Sequence, residues 1–279
     1  MTTKHFLMSS WDWNPALAAI CALVLLNYFV IFGSLGRSRV WLLVLGLILF
    51  SVAMVSPIAT LANGYLFSAH MTQHLLLLLI VPALLLLSVP KPVAENPETD
   101  DTPNETNPTV NGLMLSWIAG VGAMWFWHIP ALCNAAAANR WIQGVQTVSL
   151  LMLGMLFWWP VLGARRTPLL APLAGVAYLF TACLACTLLG IFITFSPVAV
   201  CAAYHHPVDR LGILPLIRQG WGLTPPVDQQ LGGLLMWVPA CLVFLVGIIG
   251  QLARWYGNGE AEQVSAYAAT AEADHSGSS

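Results

Sequence analysis

The chain has 279 residues, of which 58% are hydrophobic and 8% charged, with a formal net charge of −2 and a mean hydropathy of +0.76. A soluble domain carries about 25% charged residues, so this composition excludes a soluble enzyme and a disordered chain. With no basic patch to displace counterions from phosphate, it also excludes a nucleic-acid binder. What remains is an all-α, polytopic membrane helix bundle, because the apolar runs are too long and too continuous for the alternating strands of a membrane barrel.

Seven stretches approach the roughly 20 apolar residues that a span needs: about residues 15–35, 40–56, 65–88, 112–128, 141–162, 171–195 and 231–255. They make one transmembrane domain over residues 1–256. The first stretch lacks a cleavage site and is too long for a signal peptide, so it reads as a retained helix. Pro82 predicts a kink in the third. Between the third and fourth spans, residues 90–111 hold Pro90, Pro92, Pro97, Pro103 and Pro108 with Glu95, Glu98, Asp100, Asp101 and Glu105. Such a segment buries no core and reads as a disordered linker. The Ala-, Glu- and Ser-rich tail, residues 257–279, reads the same way. Many of the 12 tryptophans sit beside span ends, as interfacial anchors do.

Orientation follows the lysine and arginine bias. With the N-terminus outside, Arg37, Arg39, Lys91, Arg165, Arg166 and Arg254 fall inside, and Lys4, Arg140, Arg210 and Arg218 outside. The predicted arrangement is N-terminus out and C-terminus cytoplasmic. The six cysteines, at 21, 133, 183, 186, 201 and 241, lie mostly in or beside apolar runs, which is poor placement for a disulfide framework.

Ionisable residues within spans are costly and therefore candidate functional groups. His70 and His74, spaced i and i+4, share one face of the third span. His128 ends the fourth span in Trp125-Phe126-Trp127-His128-Ile129-Pro130. Tyr204, His205 and His206 lie in the loop before the seventh span, with Asp228, Gln229 and Met236 at its start. All of these fall on the outer side in the chosen topology. A His-x-x-x-His pair binds metal through neutral imidazoles when a second helix adds ligands, and a thioether such as Met71 or Met236 favours Cu(I). Taken alone, the pair is more simply read as hydrogen-bonding to Asp228, Gln229 or backbone inside the bundle, ahead of a metal, with a haem ligand or proton relay as further alternatives. His205 and His206 read as solvated, and His5 and His275 have no assigned role. Cys183-Leu-Ala-Cys186 among small residues reads as helix packing rather than a redox motif, and so does Gly232-Gly233. No nucleotide loop and no G-x-S-x-G elbow is present.

At Ser68-Ala-His70-Met71-Thr-Gln-His74-Leu-Leu, Trp127-His128-Ile-Pro-Ala-Leu132, Phe157-Trp-Trp-Pro160 and Asp228-Gln-Gln-Leu-Gly-Gly-Leu-Leu-Met236-Trp237 the sequence resembles the CtaG family of cytochrome c oxidase assembly factors, the multi-span kind associated with caa-type oxidases. The likeness covers about residues 60–250. It implies a bacterial inner (plasma) membrane protein of the respiratory chain, partnered by the lipid bilayer and by haem–copper oxidase subunits, that binds or delivers copper without catalysing a reaction. The family carries a histidine early in the fifth span, where this sequence reads Gln143-Gly-Val-Gln146-Thr147.

The combined reading is an outer-leaflet site with His70, His74, His128 and Met236 as metal ligands. Asp228 would accept the distal N–H of one histidine, with Gln229 beside it. Two rivals stand beside it: a redox protein ligating haem between histidines of two helices, and a scaffold subunit whose histidines bind nothing.

Overall fold

A computed structural model describes residues 2–33, 37–90, 110–163 and 170–277. Most of the 90–111 linker, together with Lys91, Arg165 and Arg166, lies outside these. The described residues form α1 (Thr3–Ser9), α2 (Pro15–Phe32), α3 (Val40–Val55), α4 (Pro57–Ala62), α5 (Phe67–Ser88), α6 (Val110–Trp127), α7 (Pro130–Ala138), α8 (Arg140–Leu162), α9 (Pro172–Phe195), α10 (Ala202–His205) and α11 (Pro225–Gly277). Six of them, α2, α5, α6, α8, α9 and α11, are long and apolar enough to cross a membrane. The seventh expected span is the apolar α3, whose 16 residues reach about 24 Å at 1.5 Å per residue, short of a ~30 Å hydrocarbon core.

The spans start where local chemistry satisfies their free N–H groups. Asn14 Oδ1 accepts from Ala16 N at 2.9 Å ahead of Pro15, and Asn139 Oδ1 accepts from Trp141 N at 2.8 Å ahead of α8. The last helix departs from the expected 231–255 at both ends. It opens at Pro225, since proline suits the first helical turn. It also runs on to Gly277 through the segment expected to be unstructured, where Glu260, Ala261, Glu262, Ala268 and Ala269 are strong helix formers.

Large apolar side chains such as Leu23, Leu115, Val148, Phe180, Leu188 and Val246 point outward, the face a bilayer solvates, while Leu78, Leu150, Phe157, Trp158 and Leu179 fill the interior. Two close approaches set the position of the polar residues. Within α5, Pro82 has no N–H to give the Leu78 carbonyl, and its ring needs room there. The helix widens into a π turn over Leu76–Ile80, which begins two residues after His74. Gly154 of α8 is seated on that same Leu78 carbonyl and on Pro82, where any Cβ would collide. The second approach is that of α11. Gly232 lies against Phe67 and Met71 of α5, and Gly233 against Thr194 and Gly190 of α9, so α11 is wedged between the two. The glycine pair thus packs helices, as its sequence context predicts.

Candidate functional site

The first turns of α5 carry the site. Buried Asp228, 1% exposed at the start of α11, accepts from Phe67 N at 2.7 Å, Ser68 N at 3.1 Å and Ser68 Oγ at 2.6 Å. A carboxylate is the best partner for the uncapped, positive end of a helix dipole. These contacts replace the expected hydrogen bond to a histidine: Asp228 fixes the start of α5, two residues before His70, and leaves the imidazoles alone.

His70, His74 and His128 converge. The His70 and His74 rings are 4.2 Å apart between centroids, and His74 and His128 are 5.4 Å apart and edge-on. All three are buried. None of the four ring nitrogens of His70 and His74 has a hydrogen-bond partner. His128 Nδ1 lies 2.5 Å from the Met124 carbonyl, and its Nε2 lies 3.1 Å from Met71 Sδ. A carbonyl only accepts, so Nδ1 carries the proton of the neutral ring, and Nε2 turns its lone pair toward the thioether sulfur. Two electron-pair donors therefore face one another beside four unpartnered nitrogens. Gln146 of α8 stands near His74, buried and with its Nε2 unsatisfied, so the two make no hydrogen bond. It lies in the stretch where the family resemblance had placed a histidine.

The other expected residues go elsewhere. Met236 is buried in the same core cluster as Met71, and its carbonyl is approached by Cys186 Sγ at 3.9 Å, while the thioether that meets a histidine ring is that of Met71. Gln229 anchors the segment after α9. Its Oε1 accepts from Val200 N at 3.0 Å and faces His205 Nε2 at 3.3 Å, and its Nε2 donates to the Val198 carbonyl at 3.1 Å. His205 is accordingly half-buried rather than solvated, whereas His206 is exposed. Among the described residues no group of three His, Cys, Asp or Glu side chains is set out to hold a metal ion. The rings of His70, His74 and His128 and the thioether of Met71 nonetheless lie side by side.

A cap covers this end of the bundle. Cys133 of α7 is disulfide-bonded to Cys201, just before α10, which corrects the expectation that the cysteines are poorly placed for pairing. Both lie beyond span ends and are brought together although 68 residues apart. Asn134 Oδ1 accepts from Ala203 N at 3.0 Å, and Arg218 Nη2 donates to the Tyr204 carbonyl at 3.2 Å. Tyr204, missed by sequence reasoning except as a neighbour of two histidines, places its ring 5.4 Å from His70 and 5.7 Å from Phe67. Its hydroxyl donates to the Ala62 carbonyl at 2.8 Å, and burial, with a smaller contribution from Asp228, pushes its pKa above the ordinary phenol value. His128 alone of the three also lines a groove of about 650 Å³ between α6 and α9, with Trp125, Pro130, Leu189, Phe192 and Val200.

Compared with known proteins, residues 23–258 match the sequence model of the cytochrome c oxidase caa3 assembly factor family. The chain is 23% identical over 241 residues to an uncharacterized protein of Mycobacterium leprae, covering 79% of this chain and 34% of that protein. It is 22% identical over 270 residues to uncharacterized proteins of Mycobacterium bovis and Mycobacterium tuberculosis, covering 89% of this chain and 40% of each. It thus spans two-fifths or less of the length of these relatives. No solved structure matches.

Proposed function

Because the chain belongs to the cytochrome c oxidase caa3 assembly factor family, we propose that it holds a copper ion at His70, His74 and His128, with Met71 as the soft ligand, and passes it to a subunit of a haem–copper oxidase in the same membrane. The carrying observation is the set of unpartnered nitrogens. A buried donor or acceptor left unpaired costs about 1–3 kcal/mol, and the four on His70 and His74 stand beside the Nε2 lone pair of His128. Imidazole and thioether together suit copper, Cu(I) above all. The Met124 carbonyl fixes the His128 tautomer in the manner typical of a ligating imidazole. Rings 4.2 Å apart suit a single ion better than a porphyrin. The groove beside His128 offers a path for exchange. Copper is here a cargo, and no catalysed reaction is required.

The same reading puts the histidine end outside. The Cys133–Cys201 disulfide lies at that end, and disulfides persist in oxidising compartments. α1 packs there too, Phe6 against Tyr65, Leu66 and Ile213, so the N-terminal helix shares the side proposed for the histidines. Arg39 and Arg254 line a shared cavity at the opposite end, as the inner side of a membrane protein favours.

The test is elemental analysis and absorbance of the purified protein, with His74→Ala beside it. Bound copper without a Soret band is expected. The variant should insert normally, lose copper, and fail to support oxidase maturation at limiting copper, with partial rescue by added copper through mass action. A stable variant with full maturation at limiting copper would refute the proposal.

A further inference from the structure

The Cys183-x-x-Cys186 pair of α9 is not used by the histidine site, and the structure gives it sulfur partners. Cys186 Sγ lies 3.1 Å from Met124 Sδ of α6. One turn deeper, Cys183 Sγ donates to Cys241 Sγ of α11 at 2.7 Å, and Thr187 Oγ1 is 3.2 Å from the same sulfur. All three cysteines are free thiols. Cys186 and Met124 are both buried and line a cavity of about 10 Å³ whose other walls include Leu78, Leu79, Gly120 and Phe157. A water of that size needs two or more polar partners, and these walls are apolar. The cavity suits a group that bonds to sulfur.

We propose that Cys186 and Met124 form a second binding site, for a soft monovalent cation of the Cu(I) type, directly beneath the histidine cluster. Loading breaks the Cys186 S–H bond and forms a sulfur–metal bond, while the Met124 thioether donates a lone pair. The proton leaves to the medium, and no atom changes oxidation state. One thiolate, one thioether and one monovalent cation sum to zero charge. The loaded site therefore carries no net charge into the membrane interior, where an uncompensated charge is costly. A divalent ion would leave one positive charge, so the donor set selects for Cu(I) over Zn(II) as well as by softness. The three cysteines alone are not set out as a metal site; the thioether completes the pair. Met124 is one helical turn from His128, whose Nδ1 binds the Met124 carbonyl. The site therefore lies next in line to the histidines, with Cys183 and Cys241 below it.

The test titrates the detergent-purified protein with Cu(I), kept reduced by ascorbate so that the Cys133–Cys201 disulfide survives, against the chromogenic chelator bicinchoninate. Cys186→Ala and Met124→Leu should each lower the stoichiometry by one ion per chain. Met124→Leu conserves volume and decides the matter if Cys186→Ala misfolds. In the triple variant His70→Ala/His74→Ala/His128→Ala, the remaining copper should show sulfur but not nitrogen scatterers by X-ray absorption. Unchanged stoichiometry in the Met124→Leu variant, or nitrogen ligation in the histidine triple variant, would overturn the proposal. The two sites fail separately: a histidine triple variant that loses no copper undoes the histidine reading and leaves the sulfur site standing.

Discussion

Replacing His74 with leucine reverses the usual expectation for a buried polar residue. A side chain satisfied by hydrogen bonds leaves an orphaned partner when removed, and stability falls. His74 has no such partner: both of its ring nitrogens are buried and unpaired. Removing them relieves one unpaired donor and one unpaired acceptor, at about 1–3 kcal/mol each. The different shape of leucine in a packed site returns roughly 1–3 kcal/mol of misfit. The metal-free His74→Leu variant should therefore be more stable than wild type by about 1–3 kcal/mol, read as a rise of several degrees in apparent Tm at ~2–4 °C per kcal/mol. Cu(I) should separate the proteins in the opposite sense. At 100 times its Kd, wild type gains about 2.7 kcal/mol from the ligand, and the variant gains little. The assay is thermal unfolding in detergent at one fixed scan rate, with and without Cu(I), because unfolding of such proteins is often irreversible. A metal-free variant less stable than wild type by more than about 2 kcal/mol, with its Cu(I) response intact, would show that His74 is a satisfied structural residue.

Asp228→Ala should cost about 2–4 kcal/mol, because it strips a charge-assisted partner from three buried donors at the start of α5; membrane accumulation and Tm measure it. Cys133→Ala should lower stability by about 2–4 kcal/mol, less than the chain-entropy figure for so long a loop because the spans already restrain it. Non-reducing gels after alkylation follow the bond. Gly154→Ala should cost roughly 1–3 kcal/mol through overlap with the Leu78 carbonyl and Pro82. Gly144→Ala, with nothing within 4 Å, should be neutral or stabilising by up to about 1 kcal/mol in the same Tm assay.

Bundle class and most span positions were legible because they rest on composition and run length. The spacing of His70 and His74 was enough to put them on one face of a helix. Which neighbours meet them was not legible, because that depends on how far each helix is rotated about its axis. Met71 and Met236 are equivalent as residue types, and only the packing, such as Gly232 against Phe67 and Met71 and the Met71 sulfur against His128, sets which one meets a ring. The partners of Asp228 are mostly backbone N–H groups, which every residue but proline possesses, so no side-chain pattern announces them. The disulfide was hidden for the opposite reason: its cysteines look like the others until the cap joins segments 68 residues apart.

The bond between Asp228 and the start of α5 links residues 160 apart in the chain. At about 5–20 residues per second of synthesis, Ser68 precedes Asp228 by on the order of 8–30 s. Throughout that interval the helix bearing His70 and His74 has no carboxylate at its head, and the wedge of α11 that seats Met71 has yet to be made. The protein therefore acquires its histidine end last, with the final span, and a nascent chain stalled before residue 228 presents a helix start that has no reason to stay in place. Until residue 228 emerges, the backbone donors of Phe67 and Ser68 lack the acceptor that the finished protein gives them, so a chain stalled before that point holds an incomplete histidine end.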